Sequence, residues 1–381
     1  MLPDDLSIIS DGAVVFDEHQ IHWIGATLDL PVEYKNLPTH SLKGHVLTPG
    51  LVDSHTHLVF GGNRSQEYID RLNGVDYQVI AERGGGILYT MNKTLQMSED
   101  ELFIHSQEKI NRFCQIGIKV IEIKSGYALT QEGELRLLRV IKRLKEHNLG
   151  KIKVFSTFLG AHAIPKEFSS SWEFLNKVVI PTLHQAHTER LVDYVDIFVE
   201  QGYFSVTDAR ELFRVAHLLG LKTRIHADEF TDFGSGGLAA ELNCASADHL
   251  LRISDESIQK LCSSDTVATL LPGTAFFLGK PMAPARKLLD AGCRVAIASD
   301  YNPGSSHIDN LLLVASLAAP NLKMNLAEIW SAITLNPASS LGLSNYGYLD
   351  QGAASCFSLF KAPQVSDITY FWGRDFHTSL P

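Results

Sequence analysis

Two histidines one residue apart, His55 and His57, close an apolar stretch that begins near Val46. Side chains at i and i+2 of a strand share a face, with Cα atoms roughly 7 Å apart. Imidazoles so placed can converge on one cation, because Zn–N distances are about 2.1 Å. A His-x-His pair alone is a weak motif, read as easily as two satisfied histidines at a strand end. Further polar residues recur after later apolar runs: Tyr127, His162, Glu200, then His226 with Glu229, His249, and the run Asp300-Tyr301-Asn302-Pro303-Gly304-Ser305. His55, His57, His226 and Asp300 can form a site of three nitrogens and one carboxylate with a position left for water, the open arrangement of a hydrolytic metal. Glu229, three residues past His226, is placed to act on that water as a general base; alone it reads equally as an exposed loop acid. His249 is a further ligand or a proton donor. His105, His147, His184, His187 and His217 fall on helix-like stretches and read as surface residues.

Something must carry these residues to one place. Eight strand candidates run through the middle of the chain: the His-x-His strand, then 119–123, 153–159, 195–199, 222–226, 244–249, 266–271 and 294–299. Helix-like stretches such as 130–147, 205–219 and 255–262 separate most of them. Strands alternating with helices imply a parallel sheet, and eight repeats predict a (β/α)₈ barrel of the TIM type spanning 49–343. Chemistry in such barrels sits just after the strands, where the polar residues fall. The alternative, an open doubly wound sheet, lacks its glycine-rich dinucleotide turn. Gly84-Gly85-Gly86 has no such frame and reads as a flexible loop. The ends, 1–48 and 344–381, show short alternating pieces, among them 13–16, 21–25, 347–349, 354–360 and 368–372. These predict one small β-sandwich-like domain built from both ends.

With 45% hydrophobic and 20% charged residues, the composition is that of a globular chain with a real core. A net charge of -10 argues against nucleic-acid or anionic-membrane partners. Five scattered cysteines, no pair at zinc-finger or redox spacing, fit a reduced cytoplasmic chain. No apolar run reaches the ~20 residues of a membrane span.

The pattern of His-x-His after the first barrel strand, histidines after the fifth and sixth, and Asp after the eighth resembles the amidohydrolase superfamily. The likeness runs nearly end to end and is specific at 60–64, 123–127, 158–162, 226–230 and 299–304. Within the superfamily it points to the branch that hydrolyses the ring amide of 4-imidazolone-5-propanoate to N-formimidoyl-L-glutamate in histidine degradation. The resemblance implies one zinc or iron ion held by His55, His57, His226 and Asp300. It implies substrate contacts at Arg64, Tyr127, His162, Glu229, Asn302, Gly304 and Ser305, with Glu229 and His249 handling protons, and a homodimer. Ser54 and Ala128 depart from the commonest Cys and Gly of such relatives, and the N-terminal β-segment is short. Arg64 suits a propionate, since its fork grips a carboxylate bidentately; its plain reading is a surface arginine. No lysine follows the fourth strand to bridge two metals, so one metal is expected, with Glu200 standing there instead. Rival readings are a ring deaminase of the same superfamily, which needs no carboxylate grip, and an inactive relative serving as a binding protein, which would be expected to have lost ligands.

Overall fold

The computed structural model describes residues 5–75, 79 and 83–380. The alternating N-terminal pieces form an antiparallel hairpin, β1 (Gly12–Phe16) and β2 (Ile21–Ala26). Strand β3 (Val46–Pro49) follows, and then the eight barrel strands. These are β4 (Leu51–Asp53), β5 (Ile118–Lys124), β6 (Lys153–Ala161), β7 (Tyr194–Val199), β8 (Lys222–Ala227), β9 (Ser246–His249), β10 (Val267–Leu270) and β11 (Val295–Ile297). Near the C-terminus lie β12 (Phe357–Phe360) and β13 (His377–Thr378).

Neighbouring barrel strands pair in sequence order and in parallel throughout. Helices cover their outer side, so the strands are buried on both faces and read as nearly continuous apolar runs. Serine, threonine or asparagine starts the longer helices: Ser98, Thr130, Ser205, Ser254 and Asn325 each accept a backbone N–H of the first turn. The helices expected from 130, 205 and 255 are therefore in place. The histidines expected on helices lie there, at the barrel's outside.

The barrel closes at its mouth rather than along its first and last strands. Thr56 bridges Tyr301, His57 N–H donates to Tyr301 O at 2.9 Å, and Asp300 N–H donates to His55 O at 3.0 Å. Closure and the histidine pair are thus one piece of backbone.

Two expectations at the ends are corrected. The first strand, read as continuous from Val46, breaks at Gly50. β3 pairs antiparallel with β12 in a three-stranded sheet with β13, and only β4 enters the barrel. Gly50 allows the step because a Cβ there would sit 2.6 Å from Cys356 Sγ and 2.8 Å from Lys119 Cγ. Ile368–Tyr370, read as strand, belongs to the helix Val365–Tyr370, and 347–349 form no strand. One buried residue, Ile368, anchors that turn, whereas a strand would bury alternate positions. The two chain ends do meet: Ile21 packs with Ala353 and Phe357, and Ile21 N–H donates to Ala353 O at 2.8 Å. Among the described residues no helix is long and apolar enough to cross a membrane.

Asp53 ties the closing strands, its carboxylate accepting from Ser299 N–H at 3.2 Å. Burial pushes its pKa from 3.8 to about 7, with hydrogen bonds from Ser299 and His55 opposing the rise. A carboxyl raised in the folded state contributes stability that is complete below its ordinary value and lost as pH climbs through about 7. Asp53→Asn keeps an acceptor for Ser299 and cannot ionise. In urea unfolding, the stability of the parent minus that of the variant should fall as pH rises from about 4 to about 7, with a slope of up to about 1.4 kcal/mol per unit. A flat difference would mean the carboxyl ionises freely inside the fold.

Candidate active site

The His-x-His segment is fixed by its middle residue. Thr56 Oγ1 donates to Glu122 O at 2.7 Å, and Thr56 O accepts from Lys124 N–H at 2.9 Å, so Thr56 faces β5. Alternation then turns His55 and His57 the other way, into the barrel mouth. His55 Nδ1 lies 2.7 Å from Asp248 Oδ2 on β9, and His226 Nδ1 lies 3.0 Å from Asp196 Oδ2 on β7. A carboxylate only accepts, so the bond to Asp248 places the His55 hydrogen on Nδ1 and leaves its Nε2 a lone pair, and the Asp196 carboxylate beside His226 Nδ1 favours the same tautomer there.

Those lone pairs converge. His57 Nε2 is 3.3 Å from His55 Nε2 and 3.4 Å from His226 Nε2, and Asp300 Oδ1 is 3.5 Å from the Nε2 atoms of both His55 and His57. Ligands at about 2.1 Å around a tetrahedral cation stand about 3.4 Å apart. Protonation does not relieve the crowding, because burial and neighbouring cationic groups hold His55 and His57 well below the ordinary imidazole range. Three buried histidines that bring their Nε2 atoms this close together fit a metal ion. Asp300, raised to about 6 chiefly by burial, gives Oδ1 to this cluster while Oδ2 accepts from Thr274 Oγ1 at 2.5 Å.

The cluster forms the floor of a 450 Å³ cavity. His57, Arg64, Tyr127, His162, His226, Glu229, His249, Asp300, Asn302, Gly304 and Ser305 all line it, and His55 lies buried beneath. Every expected site residue is therefore at one place, though not every one faces it freely. Asn302 spends its amide on its own loop: Oδ1 accepts from the Gly304 and Ser305 N–H groups at 2.8 and 2.7 Å, and Nδ2 donates to Asp300 O at 2.7 Å. His249 stands outside the converging triad, its ring centroid 5.2 Å from that of His226, and its Nδ1 is 3.7 Å from Glu229 Oε1. His162 stacks on His57 at 5.3 Å with Nδ1 3.0 Å from Gly126 O. Burial lowers it to about 4, so it is neutral and presents an Nε2 acceptor. Glu229 is buried, and burial together with Asp300 and Glu200 raises it well above the usual carboxylate range.

Arg64 is held in the wall. Its Nε and Nη2 donate to Glu67 Oε2 at 2.9 and 2.7 Å, and Glu67 Oε1 accepts from Gly86 N–H at 2.8 Å. A Cβ on Gly304 would run into Arg64 Nη1, so glycine at 304 lets the guanidinium lie against the loop. The triple glycine is a turn pinned by Glu67.

Sequence reasoning left out the carboxylates behind the site. Glu200, weighed as a ligand, is occupied elsewhere: Oε2 accepts from Phe230 and Thr231 N–H at 2.8 and 3.1 Å, and Oε1 from Gln201 N–H at 2.8 Å. It fixes the backbone just after Glu229. Asp196 and Lys124 were also missed, although a charged residue inside an apolar buried strand is a readable signal.

The family comparisons agree with this geometry. A family model described as the amidohydrolase family matches residues 182–377. Among solved structures the fold is similar to guanine deaminase from C. acetobutylicum, with a TM-score of 0.72, 17% identity, and 96% and 91% of the two chains covered. It is also similar to A. niger ochratoxinase, with a TM-score of 0.71, 15% identity, and 99% and 91% covered. A (β/α)₈ barrel with histidines converging at its mouth is the build of the amidohydrolase class. The imidazolonepropionase of Bacillus velezensis is 43% identical over 368 residues, covering 96% of this chain and 85% of the relative. That of Clostridium tetani is 37% identical, covering 97% and 89%. The chain belongs to the imidazolonepropionase family of amidohydrolases.

Tyr127 owes its position to Glu134, whose buried carboxylate accepts from Gly126, Ala128 and Leu129 N–H at 2.8–2.9 Å. Glu134→Ala should cost about 3 kcal/mol or more in denaturant unfolding, since three buried donors lose their acceptor at ~1–3 kcal/mol each. A loss below about 1 kcal/mol would show that water replaces the carboxylate without penalty.

Proposed function

We propose that the chain hydrolyses the ring amide of 4-imidazolone-5-propanoate to N-formimidoyl-L-glutamate. The reading is carried by one observation: a converging histidine triad and a wall-mounted arginine face the same cavity in a member of this family. Water adds across the carbonyl–nitrogen bond; the carbonyl carbon becomes a carboxylate and the ring nitrogen leaves with a proton. The deaminases among the structural relatives share only the fold at 15–17% identity.

His55, His57, His226 and Asp300 would hold one zinc or iron ion, which when bound acidifies water and polarises a carbonyl. The remaining work falls to side chains. Glu229, whose carboxyl burial raises above the ordinary carboxylate range, is placed at the mouth so that in its ionised form it would take a proton from the attacking water and then pass it to the leaving nitrogen. His249, neutral, stands beside it at the mouth with Nδ1 3.7 Å from Oε1. His162 offers an acceptor to a ring N–H. Glu67 occupies one edge of the Arg64 fork, leaving the Nη1–Nη2 edge for the propionate. The cavity is of the size that small-molecule sites have.

Glu229→Gln keeps the shape and removes the proton carrier. It should lower kcat by 10²–10⁴-fold with metal content unchanged at one ion per chain by elemental analysis. Near-normal kcat would mean that another group moves the proton, lost metal would make Glu229 structural, and two tightly held ions would overturn the single-metal reading.

Arg64→Met should lower kcat/KM by about ten- to a hundredfold, the loss of a charge-assisted hydrogen bond of about 1.5–3 kcal/mol. The drop should be largely absent for a ring analogue lacking the acid. Equal losses on both compounds would show that Arg64 organises the loop and does not read the carboxylate, which would return weight to a ring deaminase.

A further inference from the structure

Lys124 ends β5 fully buried, and neither the metal cluster nor the cavity wall includes it. Its ammonium sits among three carboxylates: 2.8 Å from Asp196 Oδ2, 2.9 Å from Glu122 Oε1 and 3.7 Å from Asp248 Oδ2. Each carboxylate leads to a histidine of the cluster. Asp196 Oδ2 is the atom facing His226 Nδ1, and Asp248 Oδ2 is the atom facing His55 Nδ1. Glu122 accepts from the N–H of Thr56, between His55 and His57, at 3.3 Å. One side chain thus touches the supports of all three nitrogen donors.

We propose that Lys124 is a positioning residue for the metal centre: one buried ammonium holds Asp196, Asp248 and Glu122 in place, so that His55, His57 and His226 aim their Nε2 atoms at a single point. Burying a carboxylate is costly unless it is paired, and three stand here within reach of one another. Arg224, buried in the same barrel interior, does not substitute. Its hydrogen bonds go to the carbonyls of Ser54 and Ser340, and it comes no closer than 3.9 Å to Asp248. Without Lys124, Asp196 loses the ammonium that fixes the same Oδ2 atom that faces His226 Nδ1, and the ring loses a rigid support. Partners that orient metal-bound histidines typically change affinity by 10–100-fold when lost.

The inference rests on the metal site of the proposed function and not on its substrate. The test is zinc binding by the full chain, measured by competition with a chromogenic chelator, together with melting of the metal-free and zinc-loaded forms. Two variants are compared with the parent: Lys124→Met, and Lys124→Met combined with Glu122→Gln, which restores the summed charge and so protects folding. Zinc affinity should fall 10–100-fold in both, and the rise in melting temperature on adding zinc should shrink even where the metal-free melting temperature matches the parent's. Unchanged zinc affinity in the double variant, with only the metal-free melting temperature lowered, would make Lys124 a structural ion pair and overturn the proposal. Absence of stoichiometric zinc binding by the parent would overturn the metal site itself, and this inference with it.

Discussion

The site depends on where two protons are. His55 and His226 each give one ring nitrogen to a buried carboxylate, and that choice fixes the tautomer of the other. Were either ring to carry its hydrogen on Nε2, that N–H would point at a neighbouring Nε2 across little more than 3 Å and stand where a cation would sit. The constraint reaches outward. Carboxylates buried where water is excluded need counter-charge beside them. The barrel interior behind the mouth is consequently polar, holding Lys124, Arg224, Glu122, Asp196 and Asp248 at no measurable exposure. An apolar filling would have been cheaper for the barrel alone.

The same region carries the backbone's unusual conformations. Asp228, His249, Leu250 and Asp300 all have φ between 48° and 78°; His249 ends β9, and the other three lie just past barrel strands. Side chains rarely adopt this left-handed region, and histidine and leucine pay more for it than aspartate. The turns redirect the chain immediately after β8, β9 and β11, which brings His226, His249 and Asp300 to one mouth instead of continuing along their strands. Carboxylates then hold the turns. Asp228 Oδ1 accepts from Phe233 and Ser235 N–H, both at 3.0 Å, and its Oδ2 accepts from Gly236 N–H at 2.9 Å. Glu200 and Glu134 do the same for neighbouring loops.

Much of this was legible in the sequence, and the division has a physical basis. Parallel barrel strands are buried on both faces, so their apolar runs stand out, as 119–123 and 195–199 did. Polar residues just past them mark the mouth without any knowledge of geometry. The helix-like stretches from 130, 205 and 255 were readable as well. The ends of the chain were harder. Short strands such as β13 take their partners from far along the chain, and two residues leave no period to detect. The break at Gly50 depends on Cys356 and Lys119, neither of which a local reading contains. Nor could spacing say that Asn302 and Glu200 would be consumed by their own loops, because side-chain amides and carboxylates look alike in sequence whether they face ligand or backbone.

These internal uses of charge bear on how the net acidity of the chain is read. Of its acidic residues, several of the most buried are neither surface charge nor catalytic groups; Asp228, Glu134 and Glu200 serve as acceptors for loop amides. A carboxylate has about four acceptor positions and no donor, which suits it to gather successive N–H groups that a tight loop turns inward. Each loop so gathered reaches the cavity already shaped, and little ordering is left for ligand binding to perform. Arg64 follows the same logic with opposite sign, since Glu67 fixes one edge of its fork and Gly304 supplies the space for the other end. A guanidinium held this way meets a carboxylate with its orientation already set, so its discrimination comes from geometry and not from charge alone. On the proposed reading of Arg64, a side chain on Gly304, though uncharged, would disturb the same recognition as a change at Arg64 itself, because its Cβ would displace the guanidinium.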